Sequence, residues 1–202
     1  QTATRTQTTA SIHSCIRIVN NAGLFTITGN TIGYSSSTGT GTYNFVGIAG
    51  SVFNPMTLSV GTATASSLQN NTIAGISHTT SSGGFTNLFN AILVSTGAIN
   101  IGTTTGNTIG LPAAPITFNA TAGLGGIAFG ITTTSVATVN IQNNIIQSIT
   151  GTGVAGAAFD FTGINIAGTS ASTYTVSNNT IGNVVAVSSI NLGVLGTSTG
   201  FS

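Results

Sequence analysis

The ionisable side chains able to take part in catalysis or metal binding are few enough to name in full. Tyrosines aside, they are Asp160, Arg5, Arg17, His13, His78 and Cys15, in a chain of 202 residues. Glycoside hydrolysis needs two carboxyl groups, and a calcium-assisted lyase needs a carboxylate cluster. Asp160 is the only acid. A Ser-His-Asp set can be drawn on paper from Asp160 and either histidine, but no G-x-S-x-G elbow accompanies it. His13-Ser14-Cys15 offers two metal ligands where a closed zinc site takes four, and only His78 stands elsewhere. Gly151-Thr152-Gly153-Val154-Ala155-Gly156 fits the G-x-G-x-x-G spacing of dinucleotide loops. No helical pattern follows it and no acid stands about 20 positions on, so it reads as a flexible loop. The expectation is a non-enzyme with no catalytic, cofactor-binding or metal-binding residue.

Composition narrows the classes further. Thr, Ser, Asn and Gly number 38, 22, 20 and 28, more than half the chain, and only 1% of residues are charged. A net charge of +1 cannot displace the counterions of a nucleic acid, so no nucleic-acid partner is expected. Disorder goes with low hydrophobicity and high charge, whereas 40% of these residues are hydrophobic and mean hydropathy is +0.46. A membrane-spanning helix wants about 20 apolar residues in a row. The best runs, such as Gly123 to Ile131, are far shorter, so no membrane span is expected. The opening at Gln1, without Met or a charged leader, reads as a mature form or an excised fragment.

The elements that position these residues come from an internal repeat. Five segments share one core: Gly29-Asn30-Thr31-Ile32-Gly33, Asn70-Asn71-Thr72-Ile73-Ala74, Gly106-Asn107-Thr108-Ile109-Gly110, Asn143-Asn144-Ile145-Ile146-Gln147 and Asn178-Asn179-Thr180-Ile181-Gly182. The second residues lie 41, 36, 37 and 35 positions apart (71−30, 107−71, 144−107, 179−144), a period near 37. An alternating stretch such as Val139-Asn140-Ile141 precedes the core. A short apolar run follows it: Gly47-Ile48-Ala49, Ala91 to Val94, Gly126 to Phe129, Gly163 to Ile166 and Gly193-Val194-Leu195. No stretch has a 3.6-residue apolar period, and Thr, Gly and Asn are poor helix formers. Three short strands per unit therefore predict an all-β fold, a right-handed parallel β-helix of about five rungs stacked about 4.8 Å apart.

The first core position is Gly, Asn, Gly, Asn and Asn in order, residues that tolerate a left-handed backbone. The second is Asn every time, so its amide is what the site demands. Asn30, Asn71, Asn107, Asn144 and Asn179 are predicted to form a hydrogen-bonded ladder along the axis. Ile32, Ile73, Ile109, Ile146 and Ile181 are predicted to form an inward aliphatic stack. Phe45, Phe89 and Phe161 stand just before the third strand of their units, and Cys15 reads as a small hydrophobe buried in the first rung. Residues 1–19 read as an N-terminal strip or partial first rung, and residues 20–202 as the repeat array, a fragment of a longer one.

From about residue 20 onward, the Asn-Asn-Thr-Ile-Gly motif after an alternating strand resembles the right-handed parallel β-helix of pectate-lyase-like proteins. More narrowly, it resembles the Thr/Asn/Gly-rich repeats of giant secreted surface adhesins of Bacteroidota. The resemblance implies a secreted, extracellular or cell-surface, structural or adhesive module. Related polysaccharide enzymes use carboxylates and basic residues along one face, which this chain almost lacks. Alternatives are an ice-binding β-helix and a carbohydrate-binding remnant of a polysaccharide enzyme or phage fibre. Counted back four and two from the ladder Asn, the pairs Thr26/Thr28, Ser67/Gln69, Thr103/Thr105, Asn140/Gln142 and Thr175/Ser177 break a Thr lattice in two rungs of five. Of the N-glycosylation sequons at Asn70, Asn119 and Asn178, the two in the ladder turn should be obstructed, leaving Asn119. Neither end carries a capping element, so the expected partners are further rungs of the chain, or copies stacked end to end, and surface glycans.

Overall fold

The computed structural model describes residues 2–48, 50–81, 87–121, 126–154, 159–169, 173–182 and 190–191. Every strand pairing within them is parallel, and no helix occurs among them. The chain forms a parallel β-solenoid of about four turns with a repeat near 37 residues. Four turns separate the five ladder residues from Asn30 to Asn179. Each unit contributes to four sheets rather than the three strands expected.

The approach sheet stacks Thr26–Thr28, Ser66–Gln69, Ile99–Ile101, Val139–Gln142 and Tyr174–Ser177. The ladder sheet follows, with Thr31–Gly33, Thr72–Ala74, Thr108–Ile109, Ile145–Ile146 and Thr180–Ile181. The aromatic sheet stacks Thr2–Thr6, Thr42–Gly47, Ile76–Thr80, Ile116–Ala120, Ile149–Gly153 and Ile190–Asn191. The long sheet begins as pairs of short strands, Ile12–His13 with Ile16–Val19 and Val52–Phe53 with Met56–Ser59. It continues as Asn87–Thr96, Gly126–Thr133 and Phe159–Ile166. The first unit's counterpart of the later apolar runs is thus Met56–Ser59, because Gly47 closes an aromatic-sheet strand. Gly193 to Leu195 lies outside the described residues.

Register places like on like. Ile32, Ile73, Ile109, Ile146 and Ile181 are consecutive Cα partners, and the first four are buried. Ile181, on the outermost strand of its sheet, is 47% exposed. Facing this stack across the core runs a column of small residues, Pro55, Ala91, Gly130 and Gly163, set by the pairings of Met56 with Ile92, Ile92 with Ile131 and Ile131 with Ile164. A Cβ on Gly130 would stand 2.9 Å from Ile146 Cδ1 and 2.5 Å from the Gly163 carbonyl oxygen. The isoleucines can therefore reach across only because the opposite column is small, the interlocking that native packing density requires.

A second spine is aromatic. Phe45 lies on the aromatic sheet, whereas Phe89 and Phe161 lie on the long sheet, so the three do not share one position. Phe45 and Phe53 stack at 5.2 Å; Phe53–Phe89, Phe89–Phe118 and Phe118–Phe159 follow at 5.9, 5.2 and 5.9 Å. The rings come from both sheets, Phe45 and Phe118 from the aromatic sheet and Phe53, Phe89 and Phe159 from the long sheet; beyond the stacked first pair they meet edge-on or tilted, as aromatic quadrupoles favour. Where one sheet supplies a ring, the other gives way: a Cβ on Gly151 would meet the Phe159 ring at 3.0 Å. The glycine of the dinucleotide lookalike thus has a packing role within strand Ile149–Gly153, and residues 155 and 156 lie outside the described residues.

Gly130→Ala should lower stability by about 1 to 3 kcal/mol, the cost of an added methyl in a filled core. Gly29→Ala meets no steric obstacle and pays only for its left-handed φ of 69°. Chemical denaturation of the two variants compares them directly, and equal midpoints would contradict the packing described.

Candidate functional site: the Asn ladder, the polar faces and the first-rung histidine

The ladder is complete from Asn30 to Asn179. The Oδ1 atoms of Asn71, Asn107, Asn144 and Asn179 each accept two hydrogen bonds from the preceding Asn, from its backbone N–H at 3.0 Å and its Nδ2 at 2.9 Å. The second Nδ2 proton of Asn71, Asn107, Asn144 and Asn179 goes to the carbonyls of Ile27, Leu68, Ile101 and Ile141, one rung back. An amide has two donor protons and two acceptor lone pairs, so Asn71, Asn107 and Asn144 use all four while buried. Gly satisfies no turn group, and Asp cannot donate. Every amide points the same way, which gives the rod a chemical polarity from donor to acceptor.

The residue before the ladder Asn has φ of 69° at Gly29 and 53, 58 and 57° at Asn70, Asn143 and Asn178, the left-handed turn that the residue types predict. Gly106 is the exception, with no positive φ. Its glycine is required by close approach, since a Cβ would lie 1.8 Å from the Asn143 carbonyl oxygen. The third unit makes an excursion through Thr103–Thr105, which the Gln69 side chain supports. Gln69 Oε1 accepts from the N–H groups of Thr104 and Thr105, and Nε2 donates to the Asn100 carbonyl and the Thr103 hydroxyl.

That excursion displaces the Thr pairs counted from the ladder. The outward column of the approach sheet runs Thr26, Ser67, Asn100, Asn140, Thr175, with Asn100 in place of Thr103 or Thr105. Asn140 Nδ2 donates to Asn100 Oδ1 at 2.7 Å within it. The aromatic sheet turns outward two columns, Thr4, Asn44, Ser77, Thr117, Thr150 and Thr6, Val46, Thr79, Asn119, Thr152. Both are uncharged and mixed in type. Exposure also reverses the expectation for sequons: Asn70 and Asn178 are exposed because the turn points them outward, while Asn119 is half-buried within its strand.

A second, short ladder escaped sequence reasoning. Asn54 Oδ1 accepts from the Asn90 backbone N–H at 3.2 Å and from Asn90 Nδ2 at 2.8 Å, and both residues are buried. The detectable signal was a separation of 36, the repeat length itself, outside the Asn-Thr-Ile motif.

The candidate ligands and nucleophiles do not assemble. His13 faces inward, donating to or accepting from the Tyr43 hydroxyl at 3.0 Å and stacking on Phe53 and Phe45 at 5.2 and 5.5 Å. Burial, then the Arg5 charge, lowers its pKa. Cys15 is exposed, contrary to expectation, although partial desolvation raises its thiol pKa. Asp160 occupies an outward position between the inward Phe159 and Phe161. His78 is fully buried between Phe45 and Phe118, at 4.9 and 6.1 Å, and neither ring nitrogen has a hydrogen-bond partner among the described residues. Burial pushes its pKa down to about 4. No group of three or more His, Cys, Asp or Glu converges among the described residues, and no helix long and apolar enough to cross a membrane occurs among them.

Two predictions follow from this geometry. Asn107→Ala takes the acceptor from the Asn71 N–H and Asn71 Nδ2 and the Nδ2 donor from the Leu68 carbonyl, while Asn144 Oδ1 keeps only the backbone N–H of residue 107, and it should cost at least on the order of 1 to 3 kcal/mol. Asn178→Gly, two rungs away and exposed, should be nearly neutral; thermal melts of both would reject the ladder if they shifted equally. For His78, the folded pKa lies below the unfolded value of about 6.5, so stability is full above pH 6.5 and lost as pH falls toward about 4. The loss should reach roughly 3 kcal/mol. His78→Leu should flatten most of that slope in urea titrations at pH 7 and pH 4, and an unchanged slope would assign it elsewhere.

No protein-family model, curated protein or solved structure matches this chain.

Proposed function

We propose that the chain is a non-catalytic structural and adhesive repeat module of a large extracellular or cell-surface protein or filament. In this reading it is of the same kind as the Thr/Asn/Gly-rich repeats of secreted Bacteroidota adhesins, on a pectate-lyase-like β-helix. The observation that carries the reading is the uninterrupted Asn ladder, in which each interior rung is satisfied by its two neighbours. Such a unit is stable as part of a stack, because quasi-one-dimensional repeats gain stability from each neighbouring interface. Its partners in this reading are further rungs or copies joined end to end, and surface glycans. The outer columns of Thr, Ser and Asn hydrate the rod without charge, so contacts through them depend little on salt. Ice binding fits less well, because those columns interleave Asn, Ser and Val46 among the threonines.

Duplicating residues 107–143 in place tests the module. The chain should gain one rung, keep its circular dichroism per residue and melt at a higher temperature. A lower melting temperature would show that the units are not interchangeable and that the fold is closed rather than modular.

A further inference from the structure

We propose that the rim of the first rung docks onto an anionic lipid surface, with Arg5 and Arg17 at the headgroups and Ile12, Val19 and Leu24 in the outer acyl region. Ile12, Val19 and Leu24 are the most exposed large apolar side chains among the described residues, at 68, 61 and 73%. All three stand in one turn of the chain. A place at the edge of the solenoid does not account for this: Ile16 and Ile18, on the strand that carries Val19, pack against the core, and Ile27 and Ile32, farther along the same turn, are buried. What exposes Ile12 and Val19 is direction, since they alternate with inward His13 and Ile18 on the outward side of the long sheet. One rung on, the register partners of Arg17 and Val19 are Thr57 and Ser59, so the hydroxyl surface of the rod gives way here to cation and hydrocarbon. Leu24 is held out by its backbone. Its φ of 64° is uncommon for a bulky residue, and its neighbours are tied to the next rung. A Cβ on Gly23 would lie 2.1 Å from the Thr64 carbonyl oxygen, and the Phe25 N–H donates to Ser66 Oγ at 3.3 Å. Strain of this kind persists where the surroundings over-determine it, and it clusters at functional sites.

Charge is as one-sided as exposure. Arg5 and Arg17 are the only basic residues besides the histidines, both are exposed, and both belong to this rung. Asp160, the only acid, lies four strands along the long sheet from Arg17, about 19 Å at the strand spacing. That is beyond the Debye length of roughly 8 Å in physiological salt, so it does not neutralise the rim. An anionic bilayer supplies what such a rim lacks, negative charge with an apolar layer just beneath it, and surface binding grows with both. One turn of a solenoid rises by a single strand spacing, so a rod with its first rung down brings all five side chains within about 5 Å of one plane. A protein partner is held by aromatic anchors in fitted pockets, and no exposed large apolar side chain among the described residues is aromatic. This inference stands or falls separately from the rod-module reading, which concerns how units stack.

The chain has no tryptophan, so Leu24→Trp sets a single fluorescent reporter on the rim, and Val136→Trp sets one at an exposed position three rungs on. The full chain is mixed with vesicles of phosphatidylcholine alone, or of seven parts phosphatidylcholine to three parts phosphatidylglycerol. Emission from Leu24→Trp should shift to the blue on the anionic vesicles only, and that from Val136→Trp should not shift. In cosedimentation the unsubstituted chain should partition onto anionic vesicles at least about tenfold more strongly than onto neutral ones at low salt, and less at high salt. Arg17→Gln and Val19→Ser should each lower that partition several-fold at unchanged melting temperature, and the pair covers the case in which one variant misfolds. Equal partition onto both vesicles, none onto the anionic ones, undiminished partition of a folded variant, or an equal blue shift from Val136→Trp would overturn the proposal. Equally tight binding of polyglutamate in place of vesicles would assign the rim to an acidic protein and overturn it too.

Discussion

Stacking at the strand spacing governs this molecule. Each residue of a unit sits about 4.8 Å from its counterparts above and below, so whatever one rung carries must tolerate its own kind as a neighbour. Asparagine meets this condition well, since its amide is at once donor and acceptor and can pair with an identical amide indefinitely. Isoleucine meets it through dispersion and burial. Charge does not: two like charges at that spacing repel by about 0.9 kcal/mol in bulk water and about 3.5 kcal/mol at an effective dielectric of 20. The near absence of Lys, Arg, Asp and Glu is thus a natural companion of the architecture, and Thr, Ser and Asn keep the outer columns wet in their place.

The same constraint explains how the core is filled. A rung cannot choose its cross-section freely, because the columns above and below repeat it, so large and small residues must be traded between facing sheets. The isoleucine stack faces Pro55, Ala91, Gly130 and Gly163, and the aromatic rings step from one sheet to the other, with Gly151 making room for Phe159. His78 is the one departure. It occupies a ring position in the aromatic column, between Phe45 and Phe118 in register, with two nitrogens that nothing among the described residues satisfies. A neutral imidazole has the flat shape the column needs, and its cost is that of an unpaired buried polar group. That cost makes the core sensitive to acid in a protein otherwise almost without titrating groups.

How far the first rung differs from the others bears on recognition. Its inward positions include His13 and Arg5, its long-sheet strand is interrupted, and its outward face carries Arg17. Regular rungs present shallow columns of small polar groups, which give hydration and weak, distributed contact. Concavity needs a bend, and the bends occur where the strand pattern fails, at Ser14-Cys15 and at Asn54-Pro55. Pro55 lacks the N–H that would continue the ladder of backbone bonds.

The sequence by itself determined the repeat, the parallel stacking, the Asn ladder and the Ile stack, because these depend on identity at a fixed period and stacking turns period directly into contact. It also determined the left-handed turn before most ladder residues, since Gly and Asn at one position speak for the backbone. What only the tertiary structure decided were the matters that depend on how one sheet faces another. The number of strands per unit, the assignment of Phe45 and Phe89 to different sheets, the pairing of Gly130 with Ile146 and the burial of His78 all involve residues unrelated by the period. The Thr103–Thr105 excursion shows the same limit locally. Counting back from the ladder assumes equal loops, and one inserted turn, held by Gln69, moved Asn100 into the outward column in place of a threonine. Cys15 was misread for a related reason: its position in the pattern is that of a core column, but it lies on the outermost rung, where no strand covers it among the described residues. Periodicity specifies what a residue stacks upon; only the assembled solenoid specifies what stands across the core from it and whether anything lies above.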